Sequence, residues 1–264
     1  DDMLDGGGGD DTIIKLDGND TAVGGNGHDN IDTSGGNDLV FGNSGNDIIN
    51  AGGGNDSVFG GAGSDRISGG DGDDNLDGGA DRDVIDGGAG DDVFIASTGD
   101  GDDVYHGGDG IDTLDMEAIT ANITANLGQG GSAQSDESGF DTIDGIENFK
   151  GGAGHDTIIA SSSVNVMAGG AGKDTFVFDT AANANGDEIV GFTAGDKIDL
   201  SGIAQSLGSG QDFTLTTSFT AAGQIQFRVD GNDTFLEGTI NNDNNADFSI
   251  KITGTTDLNE QDLV

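Results

Sequence analysis

Aspartate returns every nine residues through the first third of the chain, and no other residue spacing in it carries as clear a chemical signal. Written in nines from Gly6, the sequence reads GGGGDDTII, KLDGNDTAV, GGNGHDNID, TSGGNDLVF, GNSGNDIIN, AGGGNDSVF, GGAGSDRIS, GGDGDDNLD, GGADRDVID and GGAGDDVFI, ten nonamers in unbroken phase over residues 6–95. The sixth position is aspartate in all ten: Asp11, Asp20, Asp29, Asp38, Asp47, Asp56, Asp65, Asp74, Asp83 and Asp92. Carboxylate oxygens are hard ligands, and the glycines around them leave turn carbonyls open. Together they suit calcium, which takes roughly six to eight oxygens in a forgiving geometry, better than magnesium, which wants a strict octahedron and keeps its waters.

The elements that must hold these carboxylates follow from the same period. The eighth position is apolar in all ten nonamers, from Ile13, Ala22 and Ile31 to Ile85 and Phe94. Positions seven to nine are too short for a helix and alternate out, in, out, as a minimal strand does. Positions one to six read as a glycine-rich turn, where positive φ and close backbone approach are permitted. Two nonamers then close one flattened coil with a strand on each side and a thin apolar core inside, so ten nonamers make five coils, about 24 Å at roughly 4.8 Å per stacked strand. Aspartates 18 residues apart come above one another: Asp11, Asp29, Asp47, Asp65 and Asp83 along one edge, Asp20, Asp38, Asp56, Asp74 and Asp92 along the other. Each edge offers four gaps between loops, which gives about eight calcium ions and +16 of charge.

Beyond residue 95 the frame slips by two residues and then resumes. Asp103 and Tyr105 take the sixth and eighth roles in ASTGDGDDVYH, and GGDGIDTLD restores the full form with Asp112. GGAGHDTII, ASSSVNVMA and GGAGKDTFV at 151–177 carry Asp156 and Asp174, with Met167 in the apolar slot of the degenerate middle repeat. Asp103, Asp112, Asp156 and Asp174 are therefore further metal candidates. The opening DDMLD is the end of an earlier nonamer, with Asp2 as its metal candidate and Leu4 in register, so the natural protein is expected to continue upstream.

Composition agrees and excludes several classes. Among 264 residues there are 50 acids and 8 Lys or Arg, a net charge of −42, with no proline, cysteine or tryptophan. Residues 1–115 alone hold 28 aspartates, no glutamate, three bases and 31 glycines, net −25. Such a polyanion repels phosphate backbones and anionic lipid, and without cysteine there is no thiolate nucleophile and no Cys-ligated metal. No apolar run approaches the length of a membrane-spanning helix. The isolated His28, His106 and His155 form no HExxH motif, and the glycine loops lack a P-loop lysine. The chain shows no catalytic constellation, and calcium must neutralise the roll before it can fold.

The nonamer resembles the G-G-x-G-x-D-x-U-x repeat of RTX calcium-binding proteins, over residues 1–115 and 151–177. That resemblance implies an all-β fold, a right-handed parallel β-roll, export from a bacterium through type I secretion machinery, and folding outside the cell. Departures stand at Lys15-Leu16, Thr33-Ser34, Asn43, Ala51 and Asp81, whose loops are expected to bind more weakly or lose a carbonyl ligand. Residues 116–150 read as a looped insertion continuing the solenoid, with short strands in ITANITANL and FDTIDGIENF around a loop at 128–139. From 178 the period disappears, and 187–203 and 223–264 read as antiparallel strands. The F-x-x-G-D-K-I-D-L-S run at Phe192–Ser201, Ala246–Phe248 and the terminal Asp262-Leu263-Val264 resemble the C-terminal domain of serralysin-type metalloproteases, which implies a β-rich cap over 178–264 and an uncleaved export signal. Asp243, Asn245 and Asp247 have the alternate oxygen spacing of one more cation site, or of an ordinary Asn-rich turn.

These readings converge on an extracellular, calcium-loaded structural module. Two wider settings compete: the tail of a secreted hydrolase, a serralysin-like protease or a lipase, with its catalytic domain upstream; and a surface-layer or adhesin tail, for which calcium-bridged self-association or cell-surface glycans would be the partners.

Overall fold

The computed structural model describes residues 1–14, 18–208 and 212–264, and within them it is almost entirely β. Two compact units emerge, residues 1–120 with 130–148 and residues 121–129 with 149–264.

In the first unit, Met3–Gly8, Thr21–Asn26, Leu39–Ser44, Ser57–Ala62, Asn75–Ala80, Val93–Ile95 and Thr113–Asp115 form one parallel sheet, each strand beside the one a coil later. Thr12–Ile14, Asn30–Asp32, Ile48–Gly53, Arg66–Asp71, Val84–Ala89, Val104–Asp109 and Gly139–Asp144 form the other. This is a parallel β-roll. The pairing register is the nonamer phase itself: Val40 faces Val58, and Ile49 faces Ile67. Every eighth-position side chain from Ile13 to Phe94 is buried, and Tyr105, Leu114 and Ile143 continue the two inner columns. Leu4 pairs with Ala22, which puts the opening residues in register.

Many strands are twice as long as the sequence suggests. Ser57–Ala62 runs from the seventh position through the third of the next nonamer, leaving only three residues for the turn. Bare glycine backbone makes this possible, because Gly61 sits in register beside Gly79 and Asn43 with nothing on its Cα to separate the coils. Among the departures from consensus, Ser34, Asn43 and Asp81 keep the glycine conformation, at φ of 68°, 74° and 78°. Short polar side chains enter this left-handed region at modest cost. Lys15 and Leu16 lie outside the described residues.

The loop expected at 128–139 contains a strand, Gly131–Ser135, which forms an antiparallel hairpin with Gly139–Asp144. In the second unit, Thr124–Asn126, Thr157–Ile159, Thr175–Val177 and Lys197–Asp199 pair in parallel, as do Val166–Ala168 and Glu188–Val190. The segments at 187–203 expected to be antiparallel thus pair in parallel. A stretched coil spacing, with inward Ile189 and Ile198 still in phase, hid the repeat. Antiparallel pairing is found where it was expected further on, among Gln224–Asp230, Asp233–Thr239 and Phe248–Thr253, and Phe248–Thr253 joins Glu188–Val190 in parallel. One short helix, Ser201–Ser206, buries Ile203 and Ala204.

Candidate metal centre: the carboxylate ladders

From Asp20 onward each sixth-position aspartate reaches back one coil. Its Oδ1 accepts the backbone N–H of the aspartate 18 residues earlier: Asp29 from Asp11 at 2.8 Å, Asp47 from Asp29 at 2.8 Å, Asp65 from Asp47 at 2.8 Å and Asp83 from Asp65 at 2.7 Å. On the other edge Asp20 accepts from Asp2, Asp38 from Asp20, Asp56 from Asp38, Asp74 from Asp56 and Asp92 from Asp74, at 2.6–2.8 Å. The two-residue slip leaves both rows intact, with Asp103 accepting from Asp83 and Asp112 from Asp92 across 20 residues. In the second unit Asp156 accepts from Ile123 and Asp174 from Asp156. The structure thus brings the expected aspartates into the two rows as spaced, with Asp2 as an exposed first donor.

Four acidic residues in the same geometry were missed. Asp141 accepts from Asp103, Glu147 from Asp112, Asp187 from Asn165 and Asp196 from Asp174. Three of them carry the minimal signal Asp-x-apolar, in Asp141-Thr-Ile143, Asp187-Glu-Ile189 and Asp196-Lys-Ile198. Without the leading glycine pair that signal did not stand out.

The other carboxylate oxygen is what matters for a metal. Oδ2 is buried without a hydrogen-bond partner at Asp11, Asp29, Asp38, Asp47, Asp56, Asp65, Asp74, Asp83, Asp92, Asp112, Asp141, Asp156, Asp174 and Asp187. Where the first position is glycine, this oxygen faces a hollow that a side chain would fill: a Cβ on Gly6 would lie 2.7 Å from both Asp11 Oδ2 and the Gly24 carbonyl oxygen. Gly24, Gly42, Gly60, Gly69, Gly87, Gly107 and Gly151 repeat the arrangement with their own aspartate and the carbonyl of the next coil. A buried anionic oxygen left without a donor is costly, and a row of them beside inward carbonyls fits a hard divalent cation. Among the described residues no three acidic or imidazole groups converge.

Burial raises the affinity of these carboxylates for protons. It pushes Asp56, Asp92, Asp112 and Asp156 up to about 6, Asp65, Asp74 and Asp187 to about 7, and Asp83 and Asp141 to about 8. Desolvation is the largest cause. The backbone N–H that each accepts opposes it, and along the rows the neighbouring carboxylates reinforce it.

Asp103 differs. Its Oδ2 accepts a hydrogen bond from the buried Tyr105 hydroxyl at 3.1 Å, and Thr98 stands where the hollow's glycine would be. At Asp196 the same oxygen accepts the Thr193 N–H and hydroxyl.

A second ladder runs outside the first, in the opposite direction. Fifth-position side chains accept the backbone N–H one coil later: Asn19 from Asn37, Asn37 from Asn55, Asn55 from Asp73 and Asp73 from Asp91. His28 and His155 take part through Nδ1, accepting from Asn46 at 2.7 Å and Lys173 at 2.9 Å. Both are exposed structural acceptors. The Asp243–Asp247 segment is a turn: Asp247 accepts from the Ile240 N–H, the Thr239 hydroxyl and the Asn241 amide, which engages both of its oxygens.

Comparison with known proteins agrees with this geometry. The family model for the peptidase M10 serralysin C terminal matches residues 103–264, and the model for the RTX calcium-binding nonapeptide repeat matches 1–22, 16–49, 32–67, 41–76 and 68–100. No curated protein matches the chain. Among solved structures, the solution structure of the AlgE6R3 subunit from the Azotobacter vinelandii mannuronan C5-epimerase is 21% identical, covers 76% of this chain and 80% of its own, and has a TM-score of 0.28. No described helix is long and apolar enough to cross a membrane.

Proposed function

The chain belongs to the family of the peptidase M10 serralysin C-terminal domain, and from that premise we propose that it is the calcium-loaded structural module of a secreted bacterial protein, folded by calcium after type I export. One observation carries the reading: row upon row of buried Asp Oδ2 atoms without donors, facing glycine hollows lined by carbonyls. The ligands are Asp11, Asp29, Asp47, Asp65 and Asp83 on one edge and Asp74, Asp92 and Asp112 on the other, with Asp156 and Asp174 in the second unit. In this division residues 1–115 are the roll, 116–150 its looped insertion, 151–177 the second block, and 178–264 the segment with the export signal.

Calcium supplies the positive charge that the rows lack. The chain's own residues do the rest: Oδ1 fixes each carboxylate against the preceding coil, and glycine keeps Oδ2 accessible from within. Because each Asp joins two coils, filling one step prepares its neighbour, and binding is cooperative along the stack. Of the two wider settings, the family match over more than half of the chain favours the tail of a secreted hydrolase.

The test is a far-UV circular dichroism titration from a chelated start, with magnesium as control. A steep coil-to-β transition in calcium alone is expected. A chain already β-structured in chelator overturns the reading.

A further inference from the structure

The two edges of the first unit do not present the same hollows. On the edge of Asp11, Asp29, Asp47, Asp65 and Asp83, the first position is glycine five times in succession: Gly6, Gly24, Gly42, Gly60 and Gly78. On the other edge Thr33 precedes Asp38 and Ala51 precedes Asp56, and glycine appears only from Gly69 onward. Thr33 and Ala51 are both fully buried. The Thr33 hydroxyl donates to the Ala51 carbonyl at 2.9 Å. That carbonyl is the counterpart of the Gly24 oxygen facing the Gly6 hollow, one coil on at the same position. Asp38 Oδ2 still faces inward without a partner.

We propose that the Thr33 hydroxyl stands in for a calcium ion, closing the Asp38 step to metal and making the two edges of the roll load unequally. The hydroxyl takes the carbonyl that the ion would use, and the threonine carbons occupy the space. A hydroxyl can hold two coils together there, but it adds no charge. On the other edge a hydroxyl acts differently at Asp103: Tyr105, in the same coil, donates directly to the carboxylate oxygen left open elsewhere. The inference rests on the calcium reading above and extends it: at the Asp38 step the two coils are linked by a hydroxyl rather than by an ion.

A reciprocal exchange tests it. Thr33→Gly completes a site whose carboxylate is already in place, and Gly60→Thr installs the closing hydroxyl on the open edge, at a glycine whose φ is not in the left-handed region. Bound calcium is counted in the full chain by native mass spectrometry, after circular dichroism shows each variant folded in calcium. Thr33→Gly should carry one ion more than the wild type and Gly60→Thr one fewer, while Thr33→Ser, which keeps the hydroxyl, leaves the count unchanged. A wild type that binds calcium, with both exchanges leaving its count unaltered, overturns this proposal alone. A wild type that binds no calcium overturns it together with the reading beneath it.

Discussion

At the sixth position of each nonamer the two oxygens of one carboxylate have different fates, and most of the chemistry follows from that division. Oδ1 is spent on the preceding coil; Oδ2 is buried and open. Because burial raises the folded-state values of Asp65 to about 7 and Asp83 to about 8 above the ordinary 3.8, the metal-free fold binds more protons than the unfolded chain between those limits. Its stability therefore falls as pH rises through that window, the reverse of acid denaturation. In chelator, lowering the pH from 8 toward 5 should increase β-structure by circular dichroism, and in calcium the same change should raise the midpoint of the titration as protons compete for Oδ2. At Asp103 the compensation is a hydroxyl instead, so Tyr105→Phe should cost about 1–3 kcal/mol in denaturant unfolding with calcium present, the cost of a buried acceptor left without its donor. The expected aspartate rows were readable because ten repeats share one phase. The fifth-position ladder was not: Asn19, Asn37 and Asn55 align at period 18 in the sequence, but Asp73 and His28 accept a backbone N–H equally well, so no one letter marks the whole ladder.

For strands and turns, the sequence announced the parallel coil but understated its strands. The x-apolar-x triplet was visible; the following glycine pair looked like turn, and only the pairing of Gly7 with Gly25 and of Asn43 with Gly61 shows it to be strand. Register needs this bareness. Gly45 lies at φ 131° directly over the Gly27 carbonyl, so Gly45→Ala combines left-handed strain with backbone overlap. It should lower stability in calcium by at least about 2 kcal/mol, measured by chemical denaturation. The parallel strands at 188–199 escaped detection because coil spacing there stretches to 22 residues, as in the Asn165–Asp187 and Asp174–Asp196 bonds. An inward isoleucine two residues after each aspartate was the surviving trace.

For the chain as a whole, charge dominates. With a net −42, removing calcium should expand it toward the radius of gyration of an unfolded chain of this length, about 57 Å, measured by small-angle X-ray scattering. Calcium should contract it, whereas molar sodium chloride, which screens exposed charges but cannot coordinate buried oxygens, should not. A β-rich chain was evident from the sequence, but the division into two units was not, because residues 121–129 group with the later unit and 130–148 with the earlier one, against chain order. The opposed ladders have a mechanical consequence. Sixth-position side chains clasp backward and fifth-position side chains clasp forward, so no coil of the first unit slides past its neighbour without breaking bonds of both senses at once. Under tension such a stack yields by peeling rather than by shear, surrendering its length in increments of one 18-residue coil, about 60 Å of extended chain each.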